Sequence, residues 1–158
     1  TVEGQVFAEG EYIYDSHLMK NIHLRFERGK IIEAYAEEGN EGLQQILSQG
    51  EGARYLGEVA LGTNPGLTRR FFNDLLNEKV SGSFHIALGH CYDYTEYGGE
   101  PVNINNGNTE DRTPNHWDLT ILMHKNGRVI LDGEIIQENG VFKDPNLAIL
   151  NPKFLSLS

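Results

Sequence analysis

Two stretches near the start of the chain, QVFAEGEYIYD and NIHLRFERGKIIEAYAEE, alternate apolar and polar residues almost one for one. A period of two sends successive side chains to opposite faces, so these segments fit half-buried strands and not amphipathic helices. Glu27-Arg28-Gly29-Lys30 interrupts the second stretch and predicts a hairpin turn. The signature returns at the other end, where GRVILDGEIIQENGVF holds Asp-Gly and Asn-Gly. Both dipeptides supply the positive φ angles that tight hairpins demand. Hairpins at both ends commit the chain to a largely β fold.

Between them the period changes. In NEGLQQILSQ, Leu43, Ile46 and Leu47 recur at i, i+3 and i+4, predicting a helix with Asn40 as its cap. Phe72, Leu75 and Leu76 in LTRRFFNDLLNEKV predict a second helix. Val59-Ala60-Leu61-Gly62, SFHIALG and HWDLTILM read as short core strands, the first followed by the turn-like TNPG. Residues 92–115 lack periodicity and are rich in Gly, Asn, Pro and Thr, so they read as a long loop. Such a length is unusual unless the segment is functional or disordered. The 158 residues suffice for one domain with a real core, and no repeat or linker divides them. The expected architecture is α+β: a single β-rich domain over residues 1–158, with a mixed sheet and two main helices.

The formal charge is -10, with only 13 Lys and Arg and no basic stripe, which argues against nucleic acid as a partner. An acidic balance is compatible with cation binding. A single cysteine excludes an internal disulfide framework and a cysteine-based zinc ribbon. No apolar run approaches the roughly 18 residues of a membrane span, and no signal-peptide pattern opens the sequence. A cytoplasmic chain without membrane association is expected.

The residues that could carry chemistry gather around the short strands. His116 and Asp118 stand two apart, so their side chains leave one face while Trp117 and Leu119 take the other. Nitrogen and oxygen donors together suit zinc, cobalt, manganese or iron, although a solvated His–Asp pair has the same spacing. His85 lies inside an apolar strand, either as a core histidine or as a ligand. Glu58 directly precedes VAL, and a carboxylate buried there needs a partner or a metal, whereas one at a strand edge faces solvent. Glu78 at the second helix end, beside Lys79, reads first as a surface ion pair. Tyr92, seven residues after His85, is a polar-tipped core aromatic or a donor to an oxyanion. Cys91 as a nucleophile would need a low thiolate pKa and a positioned base. His90, its neighbour in an extended strand, would point to the opposite face. Asp74, Asp111 and Asp132 read as surface or turn residues, and no phosphate-binding glycine loop is present.

EGARYLGEVALG, FFNDLLNEKVSGSFHIALGHCY and NHWDLTILM, in this order and spacing, resemble the thermophilic metallo-aminopeptidases of the aminopeptidase T family. NIHLRFERGKIIEAYAEEG and DGEIIQENGVF resemble the flanking parts, so the likeness spans most of the chain. It implies a homodimeric two-metal exopeptidase that removes N-terminal residues from peptides with zinc, cobalt or manganese ions. It implies Glu58, His85, His116 and Asp118 as metal ligands, Glu78 as a further acidic ligand, and Tyr92 as the active-site tyrosine. Glu58 would also be able to act as general base. The family carries another metal-ligating Glu in a PTEE-like segment, and Thr1 falls just past it. The chain is therefore expected to be the C-terminal portion of a longer two-domain enzyme.

Two alternatives stay open. His85, His116 and Asp118 also make the two-histidine, one-carboxylate set of a non-haem iron ring-cleaving dioxygenase. A non-catalytic domain with a partial metal site is the other.

Overall fold

The computed structural model describes residues 2–92, 94–103 and 115–155. Asp111 and half of the predicted loop lie outside the described residues. In chain order the elements are β1 (Gly4–Tyr14), β2 (His17–Glu27), β3 (Lys30–Glu38), α1 (Asn40–Ile46), β4 (Leu56–Leu61), α2 (Asp74–Asn77) and β5 (Ser83–Gly89). They continue with β6 (Tyr94–Tyr97), β7 (Glu100–Asn103), β8 (His116–Leu122), β9 (Arg128–Leu131), β10 (Glu134–Glu138), β11 (Val141–Phe142) and α3 (Pro152–Leu155). The strands form the sheets β1-β2-β3, β4-β5-β8, β11-β10-β9 and the hairpin β6-β7. Pairing is antiparallel within the first and third sheets and within the hairpin. Among the described residues no helix is long and apolar enough to cross a membrane.

The chain divides into two compact units, residues 1–59 with 86–119 and residues 60–85 with 120–158. In the first, β1, β2 and β3 form an antiparallel meander whose turn at Arg28-Gly29 has positive φ at both residues (51° and 83°). Ala8, Tyr12, Met19, Ile22, Leu24, Phe26, Ile31 and Ala36 are buried, as the alternation demands. The phase slips in β3 between Ile31 and Ala36, where the register with β2 shifts, and in β2 between Met19 and Ile22. There Asn21, at φ 52°, lies across from Gly10, and the register with β1 shifts. The Asn21 side chain holds the irregularity together: its Oδ1 accepts the Gly10 N–H at 2.8 Å, and its amide donates to Glu37 at 2.7 Å. The other face of this sheet is not uniformly polar. Phe7 stacks on His23 at 4.5 Å, and Tyr35 lies 5.8 Å from the same ring.

Leu43, Ile46 and Leu47 are buried in and beside α1, as expected. The cap differs from the expectation. Gly39, at φ 72°, is the N-cap and makes no side-chain cap bond, while Asn40 is the first helical residue. A side chain at 39 would meet the Leu18 carbonyl oxygen at 2.0 Å, so close backbone approach decides the position. The Asn40 Oδ1 instead accepts the Ala36 N–H at 3.1 Å.

In the second unit, the helix expected over LTRRFFNDLLNEKV is a single turn, α2, capped by the Asn73 side chain on the Leu76 N–H. Phe72, Leu75 and Leu76 are exposed, so their helical spacing marks a face that the described chain does not bury. With α1 and α3 the α-helices among the described residues number three, all short, in place of two main ones. The hairpins of β9, β10 and β11 follow the reading, with Asp132-Gly133 and Asn139-Gly140 all at positive φ.

Candidate metal centre

Four of the candidate ligands owe their place to one sheet. Glu58 is third in β4, His85 third in β5, and His116 and Asp118 are first and third in β8, with β5 between the other two strands. One ligand atom each from Glu58, His85 and Asp118 lies within 4.8 Å of the others. The His116 Nε2 is 3.6 Å from the Glu58 Oε2 and 3.7 Å from the Asp118 Oδ2. The strand period does put His116 and Asp118 on a common side, and Trp117 and Leu119 are fully buried opposite.

Burial grades across the group. His85 is 2% exposed and the Asp118 side chain 7%, while the Glu58 and His116 side chains keep 42% and 38%. The buried members give a rigid base, and the open ones leave room for a ligand to enter. Two carboxylates this close repel each other, and a buried charge is costly unless a counter-charge meets it. Imidazole and carboxylate donors together fit a divalent cation of the zinc, cobalt or manganese kind.

The His116 ring is held from behind. Its Nδ1 faces the His90 carbonyl oxygen at 2.8 Å. A carbonyl only accepts, so Nδ1 carries the proton and donates it to that oxygen. In the neutral ring Nε2 then presents its lone pair toward the two carboxylates, the state a metal requires. The His116 N–H donates to the Tyr14 hydroxyl at 3.2 Å, and the Tyr14 ring stacks on Trp117 at 5.4 Å.

The remaining candidates fall in two places. Tyr92 is 80% exposed and lines a cavity of about 210 Å³ with Gly57, Glu58, His90, Cys91 and His116. Cys91 is buried and forms no disulfide. Glu78 stands at the C-cap of α2 with its carboxylate on the Lys79 ammonium, and it is not part of the Glu58–His85–Asp118 group. A larger cavity of about 480 Å³, on the outer face of β1, β2 and β3, touches none of these residues. The His90 carbonyl and the Tyr14 hydroxyl were not readable from sequence. The first is a main-chain atom that any residue supplies, and the second belongs to a strand about a hundred residues away.

The sequence profile of the thermophilic metalloprotease (M29) family matches residues 1–142. The chain belongs to that family. All six candidate residues fall inside the matched span. Aminopeptidase T of Thermus thermophilus is 43% identical over 97 residues, which are 58% of this chain and 23% of the relative. Aminopeptidase AmpS of Bacillus subtilis is 32% identical over 105 residues, 64% of this chain and 25% of the relative. The solved structure of wild-type AmpT from Thermus thermophilus matches with a TM-score of 0.64 at 29% identity, covering 89% of this chain and 36% of that one. This M29 chain thus spans about a quarter of the curated relatives, at 23% and 25% of their lengths.

Proposed function

We propose that this chain supplies metal-binding residues of a metallo-aminopeptidase, an enzyme that removes N-terminal residues from peptides. The observation that carries the reading is the group formed by Glu58, His85 and Asp118, with His116 Nε2 beside both carboxylates. Membership of a metalloprotease family and relatives named aminopeptidases support the same chemistry and favour it over an oxygenase. Glu58, His85, His116 and Asp118 would hold divalent metal, two ions by the family resemblance, with zinc, cobalt and manganese as candidates. Glu78 would join as a more distant acidic partner. A homodimer fits the same resemblance, and a cytoplasmic location fits the single cysteine and the lack of a signal-peptide pattern.

Bound metal of this class supplies a Lewis acid for the scissile carbonyl and lowers the pKa of a water toward neutrality. The chain's own residues divide the rest. Glu58, the more exposed carboxylate, would take a proton from water as general base. Asp118 and His85 stay buried and keep their orientation through the reaction. Tyr92, exposed and lining the same cavity, would donate from its hydroxyl to a developing oxyanion.

Cobalt titration of the chain, followed by visible absorption, tests the centre. His116→Ala should weaken binding by more than the roughly 10–100-fold typical of an outer partner. Unchanged stoichiometry and affinity would remove His116 from the ligand set. In the whole enzyme, Tyr92→Phe should lower kcat about 10²–10³-fold on a peptide substrate with KM little changed. Iron-dependent oxygen uptake with an aromatic diol, and no peptide cleavage, would instead establish the dioxygenase.

A further inference from the structure

Beside Glu58 on β4 stands Gly57, where the main chain of residues 89 and 90 passes very close. A Cβ at Gly57 would lie 2.4 Å from the His90 carbonyl oxygen and 2.7 Å from that of Gly89. On the β4 side the Gly89 N–H donates to the Tyr55 carbonyl at 2.9 Å. On the β8 side the His90 N–H donates to the Asn115 carbonyl at 2.7 Å. Gly89 takes φ 99°, and a Cβ there would meet the Asn115 oxygen at 2.2 Å. The peptide that offers its carbonyl to His116 is therefore confined by main chain on both sides.

We propose that Gly57 is a positioning residue: the bare backbone of β4 lets the His90 carbonyl sit where it holds the His116 ring in its Nδ1–H form, with Nε2 open to metal. This rests on the metal-site reading above. The chain of effects is steric, then electronic. A methyl at 57 has to displace the His90 oxygen, because both contacts are with main-chain oxygens that cannot swing away as a flexible side-chain end would. With the oxygen displaced, the ring loses its acceptor at 2.8 Å. The Nε2–H tautomer, which points a proton where the cation should be, then becomes accessible. Outer partners that fix a ligating histidine typically matter 10–100-fold in metal affinity, and that is the loss expected for Gly57→Ala.

The test reads the ring and the metal separately. Two-bond proton–nitrogen correlation spectra of the ¹⁵N-labelled, metal-free chain report each imidazole's tautomer, and His116→Gln identifies the His116 signals. In the wild type, at a pH where the ring is neutral, Nδ1 should carry the proton. Gly57→Ala should mix in the Nε2–H form and weaken cobalt binding about 10–100-fold. Val59→Ala, at an exposed position of the same strand, should do neither. An Nε2–H ring in the wild type overturns the inference with no variant needed, even if Gly57→Ala does not fold. A folded Gly57→Ala chain with unaltered tautomer and cobalt affinity overturns it too. Failure of the metal reading looks different: the wild-type chain ignores cobalt, while Gly57→Ala still shifts the tautomer and so upholds the positioning role.

Discussion

In the unit formed by residues 1–59 and 86–119, the interior is built from Met19, Ile22, Leu24, Phe26, Leu43, Ile46, Leu88 and Trp117. In that of residues 60–85 and 120–158, Val80 and Phe142 share the interior with Asn77, Asn151 and Gln137. The asparagines there imitate a neighbouring strand. Asn77 accepts the Phe71 N–H at 2.7 Å and donates to the Phe71 carbonyl at 2.8 Å. Asn151 does the same for Phe142, at 2.8 and 3.1 Å. One unit depends on apolar area, which is forgiving of direction. The other depends on paired hydrogen bonds, which are not, and which leave two buried main-chain groups unmet when broken.

The comparison can be broken by mutation. Ile22→Ala should cost about 2–5 kcal/mol in chemical denaturation, since a fully buried aliphatic side chain leaves a cavity behind. Asn151→Ala should cost less, about 1–3 kcal/mol, and should speed amide exchange at Phe142 in particular. If Asn151→Ala proves as costly as Ile22→Ala, the contrast between the units fails.

Acid should separate the units by sign. Hydrogen bonding to Arg25 holds Glu33 below the usual carboxylate range, and hydrogen bonding to Asn21 does so for Glu37. Their contribution is present above the unfolded pKa and is lost as pH falls through the lowered folded value. Desolvation pushes Asp74 up, so its ionised form is disfavoured in the folded chain. Its cost appears as pH rises through the raised value and is relieved on acidification. NMR titration should therefore show Glu33 returning toward its ordinary value in Arg25→Ala. Asp74→Asn should remove a loss of stability that sets in just above the ordinary aspartate range. A low Asp74 pKa would erase the distinction.

The smallest effect is expected at Phe72, 83% exposed, where Phe72→Ala should shift stability by no more than about 0.5 kcal/mol. A larger loss would mean that something covers the apolar side of α2.

What could be read from sequence follows from these contrasts. Asp132-Gly133, Asn139-Gly140 and the Gly29 turn announced their hairpins because positive φ is a local demand that few residues meet. The β6–β7 hairpin, closed by Gly98 and Gly99, was hidden in a segment whose exposed strands carry no buried face to set a period. Phe72, Leu75 and Leu76 misled for a related reason: spacing records a face, not whether anything packs on it. Asn21 escaped because a bulge changes phase without changing composition. Glu58, His85, His116 and Asp118 were legible as candidates through donor type and strand period, and the structure does gather them. Glu78 was legible only through resemblance, and its described partner is Lys79.

The bond from the His116 ring to the His90 carbonyl has a consequence for how such a centre is mapped. Alanine scanning would remove the imidazole at 90 and leave the oxygen that matters, so the position would score as silent. Proline would not, because it deletes the N–H that His90 gives to Asn115. A mutational survey by side-chain truncation is blind to a component written in the main chain. Only substitutions that move or rewrite the backbone, an amide-to-ester replacement among them, can make it visible.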